Sequence, residues 1–191
     1  PAGHRLRVAV SSAYWPMVWP SPEPVALTLH AADSMLELPE RPARAEDRRL
    51  APFEPPECAP PPAIDEPEEA GVVRREVRRD EATGEVVYTV TANATPEGDP
   101  TLSRIEPLDL TIGHAMRQRY SIREGDPLSA RAEILQRATT QRGAWSTRVE
   151  TRTELSATRA AFRLQASLRA WLGDECVVER SWDERIPRDH V

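Results

Sequence analysis

Apolar and polar residues alternate along most of this chain with a period of two. Leu6, Val8 and Val10 alternate with Arg5, Arg7 and Ala9, and Val25, Leu27 and Leu29 share one face of a second such stretch. This is the spacing of half-buried strands, and it predicts strands at residues 5–11 and 25–30 with a short third at 35–38. Because the first pattern begins at once, inside a strand, the sequence is expected to be a piece of something larger. The clearest alternation comes late. Phe162, Leu164, Ala166, Leu168 and Ala170 alternate with Arg163, Gln165, Ser167 and Arg169. Helix is the rival over 158–172, since Ala, Leu and Arg are good helix formers, and the strict alternation decides for strand. Further strands are expected at 72–79, 85–91, 130–140, 145–155, 160–171 and 176–186. Turn chemistry separates them: Asp80-Glu81-Ala82-Thr83-Gly84, Gly143, Ser156-Ala157-Thr158 and Gly173-Asp174.

The pattern predicts an all-β chain in three parts. Residues 1–57 hold the first three expected strands, interrupted by the Trp/Pro-rich segment Tyr14-Trp15-Pro16-Met17-Val18-Trp19-Pro20. A proline- and acid-rich stretch covers about residues 39–70, and its segment 58–70 is the linker proper. Pro55-Pro56, Pro60-Pro61-Pro62 and Asp65-Glu66-Pro67-Glu68-Glu69 favour extended polyproline and cannot collapse into a core. Phe53, the one aromatic there, is the expected anchor of this strap. Residues 71–191 form a long antiparallel meander, either a twisted open sheet or a barrel-like one.

Composition narrows the function classes. No apolar run in the 191 residues approaches the roughly 18–20 of a membrane helix, so no membrane partner is expected. All 25 basic residues are Arg and the net charge is −6, with the arginines interleaved among acids and apolar residues. That describes a solvated face, without the clustered basic excess and stacking aromatics of a nucleic-acid binder. Cys58 and Cys176 have neither metal-ligand spacing nor a disulfide framework, and are read as unpaired thiols in a reducing cytoplasm, with a single long-range disulfide as the alternative.

The search for chemistry returns negatives. No serine has the Gly-x-Ser-x-Gly context of a nucleophile elbow, and Ser11 and Ser12 simply continue a strand. His4, His30, His114 and His190 are isolated from one another and from other ligands. Phosphate- and dinucleotide-binding glycine loops are lacking, with 8 glycines in all. No catalytic, cofactor-binding or metal-binding residue is assigned. His4 is read as a hydrogen-bonded edge histidine, and Asp183-Glu184 as a solvated turn or a partner of Arg185. Trp15 and Trp19 are the candidate substrate-wall pair; the plainer reading is that they pack a loop onto a neighbouring surface.

The segment Gly3-His4-Arg5-Leu6-Arg7-Val8-Ala9-Val10-Ser11-Ser12, followed by Trp15-Pro16 and its proline-rich turn, resembles the C-terminal jelly-roll domain of the CocE/NonD hydrolases. That group includes cocaine esterase and the X-Pro dipeptidyl-peptidases. The resemblance covers about residues 1–57. The remainder is similar to a C-terminal extension found in a subset of these hydrolases, through Arg119-Tyr120-Ser121-Ile122-Arg123-Glu124 and Trp182-Asp183-Glu184-Arg185-Ile186-Pro187-Arg188-Asp189. The resemblance implies a serine hydrolase parent whose Ser/Asp/His triad lies in an α/β-hydrolase domain N-terminal to the sandwich, with none of the triad inside these residues. The sandwich of that family begins well before Gly3-His4-Arg5, so several of its strands are expected to be missing, leaving an edge open to association and to a homo-oligomer. The leading expectation is a non-catalytic portion that supports the hydrolase domain and its active-site wall. The alternatives are an independent β-sandwich module binding carbohydrate or peptide through Trp15 and Trp19, and a hydrolase complete in itself.

Overall fold

Alternating sequences become sheets when each strand finds a neighbour, and in residues 71–189 nearly every one does. The computed structural model describes residues 3–61, 63–67, 71–95 and 97–189. Pro1, Ala2, Pro62, Glu68, Glu69 and His190, to which the sequence reading refers, lie outside the described residues. By its contacts the chain divides into two units, Pro1–Val25 with Pro62–Val191, and Ala26–Pro61.

The larger unit is built on one antiparallel sheet of nine strands. They are β1 (Ile64–Asp65), β2 (Val73–Arg79), β3 (Glu85–Ala92), β4 (Leu102–Ile105), β5 (Leu110–Arg123), β6 (Asp126–Arg142), β7 (Trp145–Ala157), β8 (Ala161–Leu172) and β9 (Glu175–Pro187). From β5 to β9 they run as a meander of long neighbours. On its other side β5 meets two shorter strands in line: β4 pairs with Leu110 to Gly113, and β3 with Met116 to Arg123. The outer neighbours of these are β1 and β2. Two-residue connections close three of the hairpins, with Gly143 at φ 57° and Gly173 at φ 58°. That backbone region matches the twist of the flanking strands and favours glycine over residues with a Cβ.

Register sorts the side chains into two unlike faces, because directly opposed residues of an antiparallel pair lie on the same side. One row runs Tyr88, Tyr120, Ala132, Leu155, Leu164 from β3 to β8. Its face carries Val86, Val90, Ile134, Val149, Phe162 and Leu168 as well, and is apolar. The opposite face is charged, with Arg117, Glu133, Arg152, Glu154 and Arg163 among its residues. One layer buries little: Val90, Ala92, Ala94, Ala115, Ala130 and Ala161 are the buried apolar residues, and Ser121 is buried more completely than any large side chain.

The all-β class and the late meander are as the alternation predicts, and β8 settles 158–172 as strand rather than helix. The sheet is open rather than closed. Strands β1, β4 and β5 were not expected; Asp183 lies inside β9 and not in a turn. The early segments need correction. Among the described residues of 3–61 there is no strand: residues 5–11, 25–30 and 35–38 have no ladder partner, and Leu6, Val8 and Val10 are 80%, 63% and 55% exposed. Alternation chooses a face for a strand but cannot supply its neighbour. His4 is accordingly exposed and not a ladder-edge residue.

The smaller unit, Ala26–Pro61, has two 3-10 helices, Ala31–Asp33 and Ala45–Arg49. Arg41 grips the Asp47 carboxylate at both oxygens, and the Arg44 N–H donates to the same carboxylate at 2.9 Å. These hydrogen bonds hold the Asp47 carboxyl below its ordinary range. Phe53 is fully exposed and anchors nothing, since proline-rich backbone on both sides gives it no apolar surface to meet.

Candidate functional site

The two sequence candidates, Trp15 and Trp19, come together on the apolar face of the sheet. A turn in which the Val18 N–H donates to the Tyr14 carbonyl at 2.9 Å presents both rings on the same side. Their centroids are 5.0 Å apart and edge to face. Trp15 meets Tyr120 at 6.0 Å and Trp19 meets Phe162 at 5.7 Å, both edge to face. Tyr120 in turn stacks on its register partner Tyr88 at 6.3 Å. The five rings form one run from β3 across the sheet to β8. Edge-to-face pairs at these separations each add about 0.5–1.5 kcal/mol beyond the area they bury.

Beyond the last ring lies a residue that was not a site candidate from its sequence. Arg188 follows β9, is buried, and its guanidinium carbon sits 4.7 Å over the Phe162 ring. Its Nη2 donates to the Pro20 carbonyl at 2.7 Å and its Nη1 to the Thr158 carbonyl at 3.3 Å, while its backbone N–H donates to Ala160 at 3.0 Å. Burial lowers the affinity of this guanidinium for its proton. Nearby, Arg159 pairs with Glu23. The N-terminal loop is thus held at the β7–β8 corner by an arginine clasp as well as by its tryptophans. Trp19 Nε1 is buried without an acceptor among the described residues.

The charged face carries an open cleft of about 630 Å³. Thr91, Ala115, Leu135 and Ser167 floor it, and Arg137 and Glu150 stand in its wall. The arginines around it are committed to carboxylates. Arg137 pairs with Asp99 and, at 3.0 Å, with Glu150; Arg152 pairs with Glu133 at 2.7 Å; Arg169 pairs with Glu179 at 2.7 Å. Arg163 holds Asp183 with two bonds of 2.9 and 2.6 Å, so Asp183 pairs across strands and not with Arg185. That contact draws the Asp183 carboxyl below, and the Arg163 guanidinium above, their ordinary values. Exposed pairs of this kind contribute little to stability, because solvent screens them. Among the described residues the cleft's arginines are thus already matched by carboxylates.

Of the remaining candidates, Cys58 and Cys176 are free and exposed. His114 sits in mid-β5, and His30 lends its carbonyl to the Ser34 hydroxyl at 2.8 Å. Among the described residues no group of three or more His, Cys, Asp and Glu is placed to hold a metal ion, and no helix is long and apolar enough to cross a membrane. The arrangement binds chain to chain: its best-built feature is the aromatic run that seats the N-terminal loop.

Comparison with known proteins gives one match. Residues 1–48 match the model of the X-Pro dipeptidyl-peptidase C-terminal non-catalytic domain. A domain of that description implies a catalytic domain in the same protein. No curated protein and no solved structure matches the chain.

Proposed function

We propose that this chain is a non-catalytic C-terminal portion of a CocE/NonD-type serine hydrolase, one that cleaves acyl esters or X-Pro peptides with a triad carried by its α/β-hydrolase domain. In this reading residues 5–11, 25–30 and 35–38, which have no ladder partner among the described residues, become strands of a jelly roll only when they pair with the rest of the hydrolase. The match over residues 1–48 carries the reading. It is supported by the exposure of Leu6, Val8, Val10, Leu27 and Leu29, an alternating apolar set with no ladder partner among the described residues. Burying each such side chain against a neighbouring sheet is worth about 1.5–3 kcal/mol, so the set as a whole can drive docking.

Trp15 and Trp19 have one side held on Tyr120 and Phe162, and whatever of them stays open would face the acyl pocket as part of its wall. The test has two arms. The isolated chain should turn over neither acyl esters nor X-Pro anilides above buffer, and deleting it from the parent hydrolase should abolish or strongly reduce that parent's activity. Turnover by the isolated chain, or a coding region without a hydrolase nucleophile elbow beside it, would overturn the reading.

A further inference from the structure

The outer edge of β9 has a property that its exposure alone does not require: its side chains are complementary to themselves. β9 is exposed along all thirteen residues and ends the path of the sheet. The Arg188 N–H bonds to Ala160, next to the Ala161–Pro187 register pair. Hydrogen-bonded and non-hydrogen-bonded pairs alternate along an antiparallel ladder. The even-numbered residues from Val178 to Ile186 therefore turn their backbone groups toward β8. Glu179, Ser181, Asp183 and Arg185 turn theirs outward, and Pro187, which has no N–H to offer, also falls on the outward set. The open edge is thus a row of unpaired donors and acceptors, a template for another strand.

From this edge and its charge order, we infer that β9 pairs antiparallel with β9 of a second copy of this chain, about a two-fold axis at Trp182. With that centre Arg180 lies opposite Glu184, Glu179 opposite Arg185, and Val178 opposite Ile186, each pair occurring twice. Ser181 meets Asp183, and the two Trp182 rings lie in a non-hydrogen-bonded pair, where side chains approach closest. Neighbouring centres fail. A two-fold at Ser181 opposes Glu179 to Asp183, one at Asp183 or Glu184 opposes a carboxylate to itself, and one at Arg180 opposes two guanidiniums. Arg180, Glu184 and Arg185 form no ion pair among the described residues, so these charges are available to a partner. At the opposite side of the sheet, β2 carries Arg74, Arg75, Arg78 and Arg79 against the single acid Glu76, and repels a copy of itself. The pairing at β9 joins two sheets into one, with the apolar faces on the same side. It does not depend on the role proposed for residues 1–48.

The inference is tested on the full chain by light scattering behind a sizing column over the micromolar range. The expected result is a concentration-dependent species of twice the chain's mass. Glu184→Arg and Arg180→Glu, each alone, place like charges opposite one another twice and should weaken the dimer by at least about tenfold. The double variant Arg180→Glu/Glu184→Arg restores the complement and should restore the dimer. Trp182→Cys, made with Cys58→Ser and Cys176→Ser, should cross-link on mild oxidation, because opposed Cα atoms of such a pair lie about 4.5 Å apart, within disulfide reach. Circular dichroism verifies that each variant keeps its sheet. A monomer at every concentration, a double variant as weak as the singles, or absence of the cross-link would overturn the inference. So would a ladder of larger oligomers, the mark of β9 pairing head to tail with the arginine-rich β2 of the next copy.

Discussion

Removing the Arg188 side chain should release the N-terminal loop from the sheet. The guanidinium donates to Pro20 at 2.7 Å in a buried setting and to Thr158 at 3.3 Å, and it lies 4.7 Å over Phe162. A short charge-assisted bond to a buried carbonyl contributes about 1.5–2 kcal/mol, the longer one about 0.5, and the ring contact about 0.5–1. Arg188→Ala should therefore cost about 3 kcal/mol. For a chain of this size that corresponds to a fall in melting temperature of about 6–12 °C. Arg188→Met keeps an apolar stem against Phe162 and should lose less. Arg142→Ala, at an exposed position by the β6–β7 turn, serves as the control. Calorimetry reads the shift, and tryptophan emission reads its cause: Trp15 and Trp19 leave the sheet, and the spectrum moves to the red before the main transition. A shift under about 2 °C, or one equal to the control, would refute the clasp.

Gly113→Ala tests packing on the charged face. Alanine ordinarily stabilises a strand glycine by about 0.5–1 kcal/mol, but here its Cβ would lie 2.7 Å from Leu102 Cδ2, 2.8 Å from Thr139 Oγ1 and 2.9 Å from Pro100 Cβ. We expect the sign to invert, with a loss of about 1–3 kcal/mol in urea unfolding. The Asp183 carboxyl is lowered in the folded state, so its contribution is present above the ordinary value of 3.8 and disappears as pH falls through the lower folded value. Asp183→Asn should therefore lower stability in the neutral region and leave the acid region nearly unchanged, which flattens the acid limb of the stability–pH curve. Val8→Ser, at a position already in solvent, should leave the melting of the isolated chain within about 0.5 kcal/mol of the parent. On the proposed reading, the same change should weaken docking onto the catalytic part of the protein, read by co-purification of the separately expressed parts.

Much of the sheet was legible from period-two alternation, and the exceptions show where that signal fails. β5 escaped notice because His114 and Gln118 interrupt its apolar face while Ala115 sits on its polar one. It is nonetheless the strand on which β3, β4 and β6 all pair. Residues 5–11 have a cleaner pattern than β5 and no ladder, because a pattern within one segment carries no information about its neighbour. The same separation of local from distant information applies to the aromatic run. Trp15 and Trp19 could be singled out as a pair, but Tyr120 lies about a hundred residues away and is chosen by register alone. Arg188 had no local signature, as its partners are backbone carbonyls that any residue could offer.

A sheet one layer thick, whose strands touch only the strands beside them, is in effect a one-dimensional array. Nothing in such an architecture sets the number of members: no second layer has to be matched and no barrel has to be closed. A hairpin added outside β9, or removed from that side, would leave β3 to β6 with the same neighbours. The meander can thus be lengthened by a hairpin outside β9 without refolding, while the loop held by Trp15, Trp19 and Arg188 keeps its seat on β5 and β8.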